Sequence, residues 1–117
     1  MSDKELLELA AKAAGVKALW SPDGVLRDCT NGHPAQNIYS APPWNPLTDD
    51  GDALRLAVKL GMDLELHGAL CVFPFVCASA NKAEIQCEEE AGDNDPYAAT
   101  RRAIVRAAAE IGKWEGK

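Results

Sequence analysis

The chain has 117 residues, with 12 basic and 18 acidic side chains and a formal charge of −6. That length corresponds to one domain, residues 1–117, able to bury about two-thirds of its unfolded surface without a disulfide or metal staple. At 47% hydrophobic and 26% charged residues it is not a disordered chain, and a pI of about 4.8 weighs against binding nucleic acid through bulk charge.

No apolar run reaches the ~18 residues of a membrane span, and the acidic start, Met1 to Glu5, is not a signal peptide. A cytoplasmic protein that makes no membrane contact is expected. Met1 to Ala14 is predicted to be a helix. Ser2 or Asp3 can cap it, Leu6, Leu9, Ala10 and Ala13 recur at helical spacing, and Gly15 stops it. Val16 to Trp20 and Val25 to Cys29 then form a hairpin about the turn Ser21-Pro22-Asp23-Gly24.

Thr30 to Pro46 holds four of the seven prolines and is expected to cross the surface, with a short strand at Asn37 to Ser40 and a partly buried Trp44. From Thr48 the helical pattern returns, with Leu54, Ala57, Val58 and Gly61 as its stripe. Met62 to His67 alternates as a strand with one wet face. Ala69 to Ala78 is apolar on both faces, and Pro74 makes it an edge or bulged strand. Lys82 to Glu88 alternates again. Asp95-Pro96 starts an alanine-rich helix to about Gly112, with Tyr97, Ile104, Ala108 and Ile111 on its buried stripe. The expected fold is α+β: three helices and a mostly antiparallel sheet of four to five strands, layered as an α/β sandwich.

Two segments, Trp44-Asn45-Pro46-Leu47 leading into Asp49-Asp50-Gly51-Asp52-Ala53-Leu54-Arg55-Leu56-Ala57, and Asp95 to Ala108, resemble the phage ABA sandwich domain family of small phage and prophage proteins. The resemblance implies α–β–α layering, a phage or prophage origin and the cytoplasm of a bacterial host. It brings no activity and no catalytic residues.

Asp49, Asp50 and Asp52 are the sharpest cluster. Three carboxylates in four residues suit a hard cation, but the twelve-residue calcium loop and its terminal glutamate are missing. Capping and the helix dipole explain aspartates at a helix start. Glu88, Glu89, Glu90, Asp93 and Asp95 form a second acidic run, read as a solvated loop rather than a mimic of a nucleic-acid backbone, whose charge is far denser. Arg102 and Arg106 share a helix face and, with Arg101, form either an anion clamp or ion pairs to the Thr48–Asp52 helix start; pairing is the plainer reading.

The four cysteines, Cys29, Cys71, Cys77 and Cys87, contain no C-x-x-C pair and are expected to be reduced thiols rather than a metal site. Neither His33 nor His67 has the neighbours of a nucleophilic dyad in sequence. Phe73 and Phe75 alternate onto one face of the doubly apolar strand. They are core, or else an apolar interface for a homodimer or a partner protein. The expected function is therefore that of a small accessory protein acting by protein–protein binding without cofactor or catalysis, through the Ala69–Ala78 strand or the last helix. The alternative is a small-ligand- or metal-binding domain, or an enzyme, using the Asp49–Asp52 helix start with Arg101 or Arg106.

Overall fold

A computed structural model of the chain describes residues 2–30, 38–67, 75–80, 85–90 and 96–115. Helix α1 (Asp3–Ala14) begins where the Ser2 hydroxyl accepts the Glu5 N–H at 3.2 Å and ends at Gly15, whose φ of 70° closes it in the left-handed region. Its buried stripe is Leu6, Leu7, Ala10, Ala11 and Ala14; Leu9 and Ala13 sit at the margin.

Strands β1 (Ala18–Trp20) and β2 (Leu26–Asp28) pair antiparallel with Leu19 opposite Arg27. The turn between them is held by the Ser21 N–H on the Val25 carbonyl at 2.8 Å. The expected strand at Asn37 to Ser40 is corrected: Ile38–Ser40 is a single 3₁₀ turn. The extended piece comes later, at Pro42–Trp44, which lies along β2. There Pro42 O accepts the Asp28 N–H at 2.9 Å, and the Trp44 N–H donates to Leu26 O at 2.8 Å.

Helix α2 (Asp50–Lys59) leads through Gly61 (φ 63°) into β3 (Asp63–His67). Strands β4 (Phe75–Ala80) and β5 (Ile85–Glu90) follow, and helix α3 (Pro96–Glu115) ends the fold. The expected single sheet of four to five strands is not formed. Among the described residues the strands divide into the β1–β2 hairpin and a separate antiparallel sheet ordered β3–β4–β5. The reason lies in the backbone of β2. Its second edge is taken by Pro42–Trp44, and Pro43, whose backbone faces away from β2, has no N–H to offer a further strand there.

A second correction concerns the 69–78 segment. Residues 69–74 of that segment lie outside the described residues, and the described strand β4, Phe75–Ala80, occupies the centre of its sheet rather than an edge. Its register sets Ala78 between Leu64 and Cys87. Strand β5 runs two residues past the expected end at Glu88, so that Glu89 and Glu90 of the acidic run complete the strand rather than a loop.

The core is built around α3, which packs on α1, α2, β4 and β5. Ala103, Val105, Ala107 and Ala108 are fully buried in it. Small side chains let the helices close up: at Gly112 an added Cβ would lie 2.9 Å from the Leu9 carbonyl carbon, inside van der Waals contact. On one side α3 contributes Ile104, Val105, Ala108 and Ala109 to a cluster with α1, α2 and Trp44. On the other, Ala99, Ala103, Ala107 and Ile111 meet Leu60, Met62 and Leu64. Trp44 is more deeply placed than expected, at 7% exposure. No helix among the described residues is long and apolar enough to cross a membrane.

Candidate functional site

The start of α2 gathers the aspartates, and each has a structural partner. Asn45 opens the approach: its side-chain oxygen accepts the Leu47 N–H at 3.0 Å, and its carbonyl accepts the N–H groups of Thr48 and Asp49. Asp49 is the N-cap, with its carboxylate on the Asp52 N–H at 2.8 Å. Asp52 is nearly buried, its side chain 14% exposed, and both its oxygens are engaged. One accepts the Asn45 N–H at 3.0 Å and the other pairs with Arg55 at 2.7 Å. Asp50 points the other way, to Arg101 on α3 at 2.5 Å.

Asp49 and Asp52 share Arg55 Nη2, at 3.8 and 2.7 Å, while Asp50 turns to Arg101 on the neighbouring helix. Such a set orders a helix start: a guanidinium already stands between Asp49 and Asp52, and Asp50 is held apart from them, so the three do not surround one common point as a hard cation needs. No group of three or more potential metal-ligating side chains gathers among the described residues.

The arginines divide similarly. Arg101 bridges two segments, its Nε donating to the Leu47 carbonyl at 2.9 Å while Nη1 holds Asp50. Arg102 reaches Asp3 at the start of α1, at 3.2 Å. Arg102 and Arg106 are thus on α3, and Arg102 is directed to α1, away from the aspartates of α2. Phe73 and Cys71 lie outside the described residues, as do His33 and the acidic residues Asp93 and Asp95. Phe75 opens β4, paired in register with His67 and Glu90. Cys29 is a buried free thiol, and Cys77 and Cys87 fall on β4 and β5.

Two features were not singled out in the sequence. The first is Arg27, whose guanidinium donates to the Ala41 carbonyl at 3.0 Å, Nε to the Ser21 hydroxyl at 3.2 Å, and Nη2 to Asp23 at 3.4 Å. It also lies 5.3 Å from the Tyr39 ring centre. Ser21 hydrogen-bonds Asp23, and this bond, then the nearby Arg27 charge, holds the Asp23 carboxyl below its ordinary value. A lone arginine in a short strand carries no sequence signal for such a role.

The second is a cleft of about 330 Å³ where the end of α1, β2, Pro42–Trp44 and α2 meet. Val16, Pro42, Pro43, Trp44 and Leu56 line it with Asp28, Asp52, Arg55 and Lys59. The i, i+3, i+4 and i+7 spacing of 52, 55, 56 and 59 was the signal available for one wall.

Helix α2 is also rolled relative to expectation. Ala53, Leu56 and Ala57 face inward, whereas Leu54 and Val58 are 59% and 72% exposed. Tyr97, expected on the buried stripe of α3, is 69% exposed. Set against models of known protein families, curated proteins and solved structures, the chain finds no match in any of the three.

Proposed function

We propose that this protein is a small accessory protein that acts by binding another protein, without catalysis, in the cytoplasm of a bacterial host. The observation that carries this reading is the outward face of α2. Leu54 and Val58 are one turn apart, so they form a single apolar strip in solvent, beside aspartates already engaged within the fold. Burial of two such side chains on association is worth roughly 1.5–3 kcal/mol each. The alanine face of α3 is not the contact surface, because α1, α2 and the strands already cover it. A phage or prophage origin is proposed on the two motifs alone, "WNPL…DDGDALRLA" and "DPYAATRRAIVRAA".

The experiment is capture from a bacterial lysate at low and high salt, with light scattering to read self-association, on the native protein and a Leu54→Asp/Val58→Asp variant. A salt-resistant partner, or a dimer, that is lost in the folded variant supports the reading. An unchanged capture profile and mass overturn it.

A further inference from the structure

The cleft beside α2 offers more than contact. Its apolar wall, Val16, Pro43, Trp44 and Leu56, comes from three different elements, and its volume is at the lower end of small-molecule sites, about 300–1,000 Å³. Four charged side chains line the same space. Asp52 and Arg55 neutralise one another at 2.7 Å, and Asp52 has its second oxygen on Asn45.

Asp28 and Lys59 remain. One Asp28 oxygen accepts the Thr30 N–H at 2.9 Å, and the carboxylate forms no ion pair with a described residue. Lys59, in the last turn of α2 and exposed at the rim of the cleft, forms none with a described residue either. One cleft therefore holds an anion and a cation that do not satisfy each other.

A ligand bearing a single charge would leave one of the two unanswered. A neutral apolar ligand would take water from the half-buried Asp28 without compensation and leave the exposed Lys59 at the rim unused, at a cost in affinity. We infer that the cleft binds a small zwitterion with an apolar body, an amino acid or dipeptide, with its carboxylate on Lys59, its ammonium on Asp28 and its side chain against Trp44 and Leu56. Ala14 brings the C-terminal end of α1 into the lining, and the negative end of that dipole favours the ammonium. This goes beyond protein binding, and either can fail alone because Leu54 and Val58 do not line the cleft.

The test is an amide NMR titration of the full chain with leucine, with glycyl-leucine and with the neutral N-acetyl-leucine amide. Saturable shifts at the Trp44 indole and the Lys59 amide are expected with at least one zwitterion, and binding about tenfold weaker with the neutral compound. Lys59→Ala and Asp28→Asn should each weaken binding by about tenfold with a preserved spectrum, since the carboxamide oxygen introduced by Asp28→Asn still accepts from Thr30. No saturable shift with either zwitterion by about 10 mM overturns the inference, as does equal binding by the neutral compound or by both variants.

Discussion

Arg101 on α3 and Asp50 on α2 meet at 2.5 Å across 51 residues of sequence, and the same guanidinium donates from Nε to the Leu47 carbonyl at 2.9 Å. One side chain thereby fixes both the loop that enters α2 and the first turn of that helix. The Arg101 side chain is 16% exposed and Asp50 70%, so the carbonyl bond contributes more than the screened ion pair. Arg101→Met should lower stability by about 1–2 kcal/mol in urea denaturation. Arg101→Lys should restore little of it, because an ammonium cannot serve both acceptors with the fixed fork of a guanidinium.

The close approach of Gly112 to Leu9 gives a sharper outcome. Gly112→Ala raises helix propensity, by itself stabilising, yet its methyl would collide with the backbone of α1 rather than with a flexible side chain. Packing should win. A net loss of about 1–3 kcal/mol is expected, read as a lower urea midpoint at unchanged slope.

The helix cap can be separated from any cation site. Asp49→Ala should cost about 1 kcal/mol, and Asp49→Ser should recover most of it, since a hydroxyl can still accept the Asp52 N–H. Millimolar Mg²⁺ or Ca²⁺ should leave the melting temperature of the native chain unchanged, because Asp49 and Asp52 already face Arg55 and Asp50 is turned to Arg101.

Much of this arrangement is legible in the residues, and the failures have physical causes. Ser2, Gly15, Asp49 and Gly61 mark helix ends through local chemistry, and local chemistry sits in the sequence. The roll of α2 does not. Ala53, Leu54, Leu56, Ala57, Val58 and Leu60 are six apolar residues in eight, so the Leu54–Val58 stripe and the Ala53–Leu56–Ala57 stripe satisfy the helical period equally. The long-range anchor Arg101–Asp50 and the local one Asn45–Asp52 accompany the observed choice. The division into two sheets was hidden for a similar reason, since Pro42–Trp44 had no strand signature and yet occupies the edge of β2. The cleft joins residues 14 to 59, and no motif relates them.

Asp23 supplies a pH dependence. Its carboxyl is lowered from 3.8, first by the Ser21 hydroxyl and then by Arg27, so the folded chain holds a proton there less readily than the unfolded chain. The stabilisation is therefore complete above the unfolded value and is lost as pH falls through the lower folded one. In thermal melts, the native chain and Asp23→Asn should differ by a constant amount from neutral pH down to about pH 5 and converge in stronger acid. A difference that grows with acidity would reverse the sign and refute the assignment.

The central claim is that α2 has an inner side that holds the fold and an outer side that makes contact with a protein partner. Urea denaturation and partner capture, measured on the same two variants, test it most directly. Arg101→Met is predicted to lose stability while the fraction that remains folded keeps its partner. Leu54→Asp/Val58→Asp is predicted to stay folded with a loss of about 1–2 kcal/mol, from helix propensity and a carboxylate in the last turn of α2, and to lose its partner. A double variant that unfolds, or that captures the same proteins as the native chain, would contradict the account.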